Sequence, residues 1–161
     1  MIYATYIIAR GAHSSGWHWP DPFLRRTGVE FRFRLHADCA YAMEGEDRYD
    51  WNKLYGFSQL VHQRNSLRVG WRARPDGQYE TALYCHRAGV ISAHLIPEKL
   101  SYDTWRRAAL TIEAGEYVYY DDLGNRVAIG CMTDCRAGYM LFPWFGGTQT
   151  APHEMHIDIM R

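Results

Sequence analysis

The chain has 161 residues, 47% of them hydrophobic and 22% charged, which is typical of a globular domain and excludes a disordered or fibrous protein. The formal net charge is zero, so no global basic field attracts nucleic acid or an anionic membrane. No stretch is long and apolar enough to span a bilayer, and we expect one domain over residues 1–161.

Alternation of apolar and polar residues with a period of two is the strongest pattern in the chain. Residues 1–9 are apolar but lack the basic start and cleavage site of a signal peptide, so they predict a first strand. Further strands are predicted at residues 29–36, 67–72, 79–85, 90–96, 108–112, 117–121, 126–129 and 154–159. Gly, Asp and Asn residues in the intervening turns suit the positive φ angles of tight hairpins. The pattern predicts an all-β sandwich of two antiparallel sheets with little helix.

Other segments give weaker expectations about the topology. Residues 20–28 are predicted to form a loop, and residues 97–104 a helical turn. One strand carries Arg32 and Arg34 on its polar face, whereas the last strand carries Glu154 and Asp158. We expect these two strands to pair, because opposite charges on neighbouring strands attract.

A resemblance to a known type of domain begins in the middle of the chain. Residues 103–112 (DTWRRAALTI) form a short alternating strand led by Trp105, and residues 117–122 (YVYYDD) are followed by Gly124 and a returning strand. This arrangement resembles laminin G-like and concanavalin A-like jelly-roll domains, although the turn is one or two residues longer. The ending, with residues 142–147 (FPWFGG) before the last strand, looks like small bacterial proteins of the same kind. The resemblance implies a jelly roll whose concave sheet is the ligand-binding face.

Four residues on the middle strands are predicted to line that face. Arg68 and Arg72 share one side of their strand, and Tyr84 and His86 share one side of the next. Aromatic rings stack on sugars and guanidinium groups bind carboxylates, so the patch suits a sugar or a uronate. The alternative is that both arginines pair with Glu80 across the hairpin as an ordinary solvated face.

Tryptophan and arginine contribute further candidates. Trp17 and Trp19 flank His18 in a loop rich in Ser and Gly, where they form either an exposed ligand platform or a plug at one end of the sandwich. Trp51 and Trp105 are expected in the core. Two of the 18 basic residues are lysines, so the other 16 are arginines, which reflects either base composition or an anionic ligand.

The four cysteines do not predict a metal site. Cys39, Cys85, Cys131 and Cys135 lack the spacing of paired zinc ligands, and we interpret them as free thiols or as one disulfide. No metal and no cofactor is predicted. The cysteines leave the cellular compartment undecided.

The favoured function is a non-enzymatic binding module whose partner is a glycan or a protein surface. One alternative is a polysaccharide lyase, because three segments resemble strands of alginate-lyase-like jelly rolls: residues 64–68, 59–62 and 139–142. That alternative predicts that Arg68, His62 or His86, and Tyr84 or Tyr139 converge in one cleft. Another alternative is a structural subunit that assembles into an oligomer through a large apolar patch.

Overall fold

The structure is a computed structural model that describes residues 2–19, 21–24, 27–59, 61, 64–130 and 137–161. The described residues form twelve strands and two short 3₁₀ helices, at Ala37–Cys39 and Gly45–Tyr49. The strands are β1 Tyr3–Ile8, β2 Pro22–Leu24, β3 Gly28–Leu35, β4 Asn52–Gln59, β5 Ser66–Ala73, β6 Tyr79–Arg87, β7 Val90–Leu100, β8 Arg106–Glu113, β9 Glu116–Asp121, β10 Arg126–Gly130, β11 Ala137–Leu141 and β12 Met155–Met160. None of the described helices is long and apolar enough to cross a membrane.

The strands form two six-stranded antiparallel sheets. The first sheet has the order β1-β12-β3-β8-β9-β10, and the second sheet has the order β2-β11-β4-β5-β6-β7. The apolar residues of β3 and β5, such as Phe31, Phe33, Leu67 and Trp71, point into one core between the sheets, where each is at most 1% exposed. The predicted all-β sandwich of two antiparallel sheets is therefore confirmed.

Two sequence predictions about these elements are wrong, and strands β4 and β11 are missing from the prediction. Residues 20–28 contain β2, a short edge strand that accommodates proline because its N–H side needs no sheet partner. Residues 97–104 begin as strand, since β7 continues to Leu100. Strand β4 is missing from the prediction because a register shift between Lys53 and Gly56 breaks its alternation.

Tryptophan burial also differs from the expectation. Trp51 and Trp105 are only half-buried, and Trp71 is the tryptophan that fills the core. The guanidinium carbon of Arg34 lies 5.1 Å from the centre of the Trp105 ring, so that ring covers an outer face of the first sheet. Trp51 lies at the functional site described below.

The predicted pairing of the Arg34 strand with the last strand is confirmed, but Asp158 is buried rather than solvated. β3 pairs with β12 so that Arg34 is the cross-strand neighbour of Asp158, which is 1% exposed. Arg34 Nε and an Arg34 terminal nitrogen donate to Asp158 Oδ2 at 2.9 and 2.6 Å, and Thr5 Oγ1 donates to Oδ1 at 2.7 Å. His36 Nε2 lies 2.8 Å from Oδ2. This carboxylate joins three adjacent strands of the first sheet.

The environment of Asp158 predicts acid sensitivity. Burial alone would raise its pKa, but hydrogen bonds from Thr5, Arg34 and His36 outweigh burial and lower the pKa from 3.8 to about 2. A carboxylate whose pKa is depressed by folding stabilises the protein above its unfolded pKa. We therefore expect the Asp158 carboxylate to contribute about 2 kcal/mol to the free energy of unfolding at neutral pH. This contribution should be lost as the pH falls from about 4 to 2.

Asp158→Asn should remove this contribution. Urea unfolding at neutral pH should show a loss of about 2 kcal/mol, and the variant should lack the decline between pH about 4 and 2. Glu154→Gln changes an exposed carboxylate just before the same strand and should have little effect. Equal stability of wild type and Asp158→Asn at neutral pH would contradict this account.

Candidate functional site

A groove of about 680 Å³ lies on the outer face of the second sheet. Its floor follows directly from the strand register. Gly56, Arg68, Tyr84 and Ala93 are successive cross-strand neighbours on β4 to β7, and Leu141 of β11 continues the row. The walls come from the loops around residues 14–18, 49–51 and 142–147.

Two glycines shape the floor of the groove. A Cβ on Gly56 would lie 2.0 Å from the Leu67 carbonyl oxygen, so only glycine fits beside the β-bulge of β4. A Cβ on Gly70 would lie 3.3 Å from Tyr84 Cβ and 3.4 Å from the Trp51 ring. The missing side chain at Gly70 lets the Trp51 ring approach the sheet.

Arg68 is the buried cation in the floor. The residue is 7% exposed, and a terminal nitrogen of its side chain donates a hydrogen bond to the Phe142 carbonyl oxygen. Among the described residues no carboxylate forms an ion pair with Arg68, and its Nε has no hydrogen-bond partner. Burial lowers its pKa to about 10, which the neighbouring phenols of Tyr84 and Tyr139 partly offset, so the group is charged at neutral pH.

Lys53 supplies a second cation next to Arg68. The β-bulge places Lys53 opposite Gly70, and its Nζ donates to the Gly146 carbonyl oxygen at 2.7 Å. Nζ also lies 5.2 Å from the centre of the Tyr84 ring. Burial and the positive charge of Arg68 lower the Lys53 pKa to about 8, against the opposing effect of Asp50. A fraction of Lys53 is therefore neutral near physiological pH.

Tyr84 and His86 complete the polar floor. Both are largely buried, and their rings are 5.7 Å apart with an interplanar angle of 72°. His86 Nδ1 lies 2.9 Å from Ser66 Oγ on the neighbouring strand. Burial raises the pKa of the Tyr84 phenol, although the charge of Arg68 opposes this effect. Arg68, Tyr84 and His86 thus converge in one groove, as the sequence predicted.

Aromatic rings form the rim. Trp144 is 42% exposed and stacks on His13 with the ring centres 5.1 Å apart. The His18 ring packs on Phe142 at 4.7 Å and lines the groove. Trp17 and Trp19 on either side of His18 are both 82% exposed. These two tryptophans therefore do not plug the end of the sandwich, and neither of them lines the groove.

Arg72 does not share the groove with Arg68, although the sequence placed both in one patch. Its guanidinium carbon stacks 4.3 Å from the centre of the Trp51 ring, and its Nε donates to Glu80 Oε1 at 2.5 Å. Arg72 therefore forms the ion pair with Glu80 that the alternative interpretation predicts. Arg68 forms no such pair within the described chain. Trp51 separates the two arginines because its ring packs over Gly70 between them.

The remaining sequence candidates contribute less to this site. His62 lies outside the described residues, as do Cys131 and Cys135. Cys39 and Cys85 are buried, and burial raises the pKa of Cys39. In the part of the chain that the structure describes, no three His, Cys, Asp or Glu side chains are placed to hold a metal ion.

Sequence reasoning missed several residues of the groove. Lys53 comes from β4, which was not predicted, and Trp144 comes from a segment whose backbone bonds both Lys53 and Ser14. One signal was available for Lys53, because it is one of only two lysines in an arginine-rich chain. No local pattern marks Trp144 or Asp50, since their positions depend on loops.

Comparison with known proteins identifies the fold. The sequence matches no protein-family model and no curated protein. The structure is similar to an alginate lyase from Chlorella virus, with a TM-score of 0.57 and 15% identity over 97% of this chain and 81% of that one. It is also similar to the carbohydrate-binding module CBM66 from Bacillus subtilis (TM-score 0.51, 10% identity, 92% and 76% covered) and to galectin-1-L2 from Dario rerio (TM-score 0.50, 11% identity, 89% and 93% covered). The chain thus adopts the predicted concanavalin A-like jelly-roll sandwich.

Replacement of Arg68 tests whether its buried charge destabilises the folded protein. Arg68→Met keeps an unbranched apolar side chain and removes a desolvated charge that has no carboxylate partner among the described residues. We expect the free energy of unfolding to stay unchanged or to rise by up to about 2 kcal/mol. Thermal and urea unfolding measure the change.

Arg34→Met is the matched control for that substitution. It leaves the buried Asp158 carboxylate without its main ion pair, so it should destabilise the protein by about 3 kcal/mol. A comparable loss of stability in Arg68→Met would show that Arg68 is a structural residue.

Proposed function

We propose that this protein binds an acidic glycan in the groove of the second sheet, with a uronate carboxylate on Arg68. The observation that carries the proposal is the buried guanidinium of Arg68, which has no carboxylate partner in the described chain. A desolvated charge without a partner is costly, and a ligand carboxylate would supply both the opposite charge and the missing acceptor.

The charges around Arg68 favour an anion. Lys53 adds a second positive charge close to Arg68, and Asp50 is the carboxylate that lines the same groove. The polar floor is therefore net positive although the whole chain has a formal net charge of zero. Local charge of this sign attracts acidic ligands even where the global field does not.

The apolar surfaces of the groove suit sugar rings. Trp144 on the rim exposes part of its ring, and Ile91 and Ala93 of β7 add apolar surface to the groove. Sugars combine weakly polar ring faces with hydroxyl groups, so they pack on aromatic surfaces while hydrogen-bonding to polar side chains. The volume of about 680 Å³ lies within the range of small-molecule sites.

The solved structures of similar fold are consistent with this proposal. Those named above are an alginate lyase, a carbohydrate-binding module and a galectin. Their identities to this chain are 15% or lower, so their ligands are not transferred to it. The proposal depends on the groove itself.

A glycan array probed with Arg68→Met tests the binding proposal. Wild type should bind uronate-containing glycans in preference to neutral ones, and the variant should bind them at least about 10-fold more weakly, because one charge-assisted interaction is worth about 1.5–3 kcal/mol. Arg32→Met removes an exposed arginine from the first sheet and should bind like wild type. Unchanged binding by folded Arg68→Met would refute the assignment of the groove.

A second candidate function is cleavage of the same glycan by β-elimination. The observation that favours it is the convergence of Arg68, Lys53, Tyr84 and His86, which combines a cation for a carboxylate with side chains able to transfer protons. Arg68 would neutralise the uronate carboxylate and so acidify the proton at C5. Lys53, neutral in part because its pKa is about 8, or His86 would accept that proton.

The elimination balances without a cofactor. The base removes the C5 proton, the electron pair forms the C4–C5 double bond, and the bond from C4 to the glycosidic oxygen breaks. A phenol or imidazole then protonates the leaving oxygen. The products are a shortened chain and a chain with an unsaturated uronate end.

Tyr84→Phe separates binding from elimination. If the groove is a lyase, wild type should generate the ultraviolet absorbance of unsaturated uronate, and Tyr84→Phe should lower the rate by about 100-fold or more while keeping affinity within a few-fold. Tyr120→Phe, on the outside of the first sheet, is the control. Stable binding by wild type without any unsaturated product would leave the non-enzymatic module as the function.

A further inference from the structure

A second hollow of about 500 Å³ adjoins the groove near the end of β5. Three arginines line it: Arg48 from the second 3₁₀ helix, Arg72 from β5, and Arg74 just after β5. Glu80 of β6 is the acidic residue in the lining. The arrangement concentrates positive charge in a concave surface that the proposed function does not use.

Glu80 neutralises only part of this charge. It is buried and accepts hydrogen bonds from Arg72 Nε at 2.5 Å and from an Arg74 terminal nitrogen at 2.6 Å. At the outer rim Asp76 binds both Arg74 and Lys99. Among the residues that line the hollow, three arginines face one carboxylate, so the lining itself keeps a surplus of positive charge.

Arg48 is the cation available to a ligand. Its guanidinium carbon lies 4.6 Å from the centre of the Tyr49 ring and one terminal nitrogen donates to the Tyr49 hydroxyl, which holds the group in place. Within the described residues Arg48 forms no ion pair. The neighbouring Asp47 binds Thr148 and Gln149 instead. Arg48 is therefore an exposed, oriented donor.

The hollow and the groove share one lining residue. Tyr49 lines both of them, and its carbonyl oxygen accepts a hydrogen bond from Arg72 at 3.0 Å. Trp51, whose ring stacks against the Arg72 guanidinium, lines the groove next to Tyr49. Arg68 and Arg72 are four residues apart on β5, which corresponds to about 13 Å along an extended strand. A linear chain seated on Arg68 can cross Tyr49 and reach the second hollow.

We infer that the hollow lined by Arg48, Arg72 and Arg74 is a second subsite, which binds an acidic sugar further along the same polyuronate chain. The inference rests on the proposed function, because it extends the ligand of the groove. A short oligouronate would fill only the groove, whereas a longer one would also place a carboxylate on Arg48. Affinity should then rise with chain length.

The test measures affinity by calorimetry for length-graded oligomers of alginate, polygalacturonate and hyaluronate. Arg48→Gln should weaken binding of long oligomers by roughly 5- to 10-fold and leave short oligomers unaffected, as expected when one charge-assisted contact is lost. Arg126→Gln is the matched control, because Arg126 is exposed and also lies over a tyrosine ring, that of Tyr120, but belongs to the first sheet. It should bind every oligomer like wild type.

The outcomes distinguish the two proposals. If Arg68→Met loses binding at all lengths while Arg48→Gln binds long oligomers like wild type, the second subsite is wrong and the groove assignment stands. Affinity that does not depend on length would also overturn the subsite. If wild type binds none of the three oligouronates at low salt, the proposed function fails and the second subsite fails with it.

Discussion

One buried charge, the guanidinium of Arg68, dominates the chemistry of the groove. Antiparallel pairing places it between Gly56 and Tyr84, where the second sheet shields it from water. Its only described hydrogen bond is to a backbone carbonyl oxygen, although a guanidinium has five N–H donors. The fold therefore holds a desolvated cation at the bottom of a groove, and the bulge of β4 brings Lys53 beside it.

The two sheets differ in whether their buried charges have a partner of opposite charge. On the first sheet Asp158 is bound by Arg34, His36 and Thr5, so each charge has a partner and the cluster stabilises the pairing of β1, β12 and β3. On the second sheet Glu80 satisfies Arg72 and Arg74, whereas Arg68 has no carboxylate among the described residues. Paired charges of this kind are structural. An unpaired one in a concave site is the expected signature of a ligand position.

The sequence predicted the sandwich and three floor residues because period-two alternation fixes which side chains share a sheet face. Arg68, Tyr84 and His86 lie where that rule places them, and the opposite charges of Arg34 and Asp158 correctly predicted the pairing of distant strands. The rule fails where the backbone departs from regular pairing. The bulge concealed β4 and Lys53, and Trp51 separates Arg72 from Arg68 by packing over Gly70. Loop residues such as Trp144 are placed by tertiary contacts, which a local pattern does not encode.

The central claim is that the groove recognises a carboxylate. The most direct measurement is calorimetric binding of wild-type protein to a polyuronate and to the same polymer after its carboxyl groups have been reduced to alcohols, since the two differ only in charge. The account predicts that the acidic polymer binds, with an affinity that falls as salt is added, and that the reduced polymer binds at least about 10-fold more weakly. Equal affinity for both polymers would contradict the assignment of Arg68 as a carboxylate site.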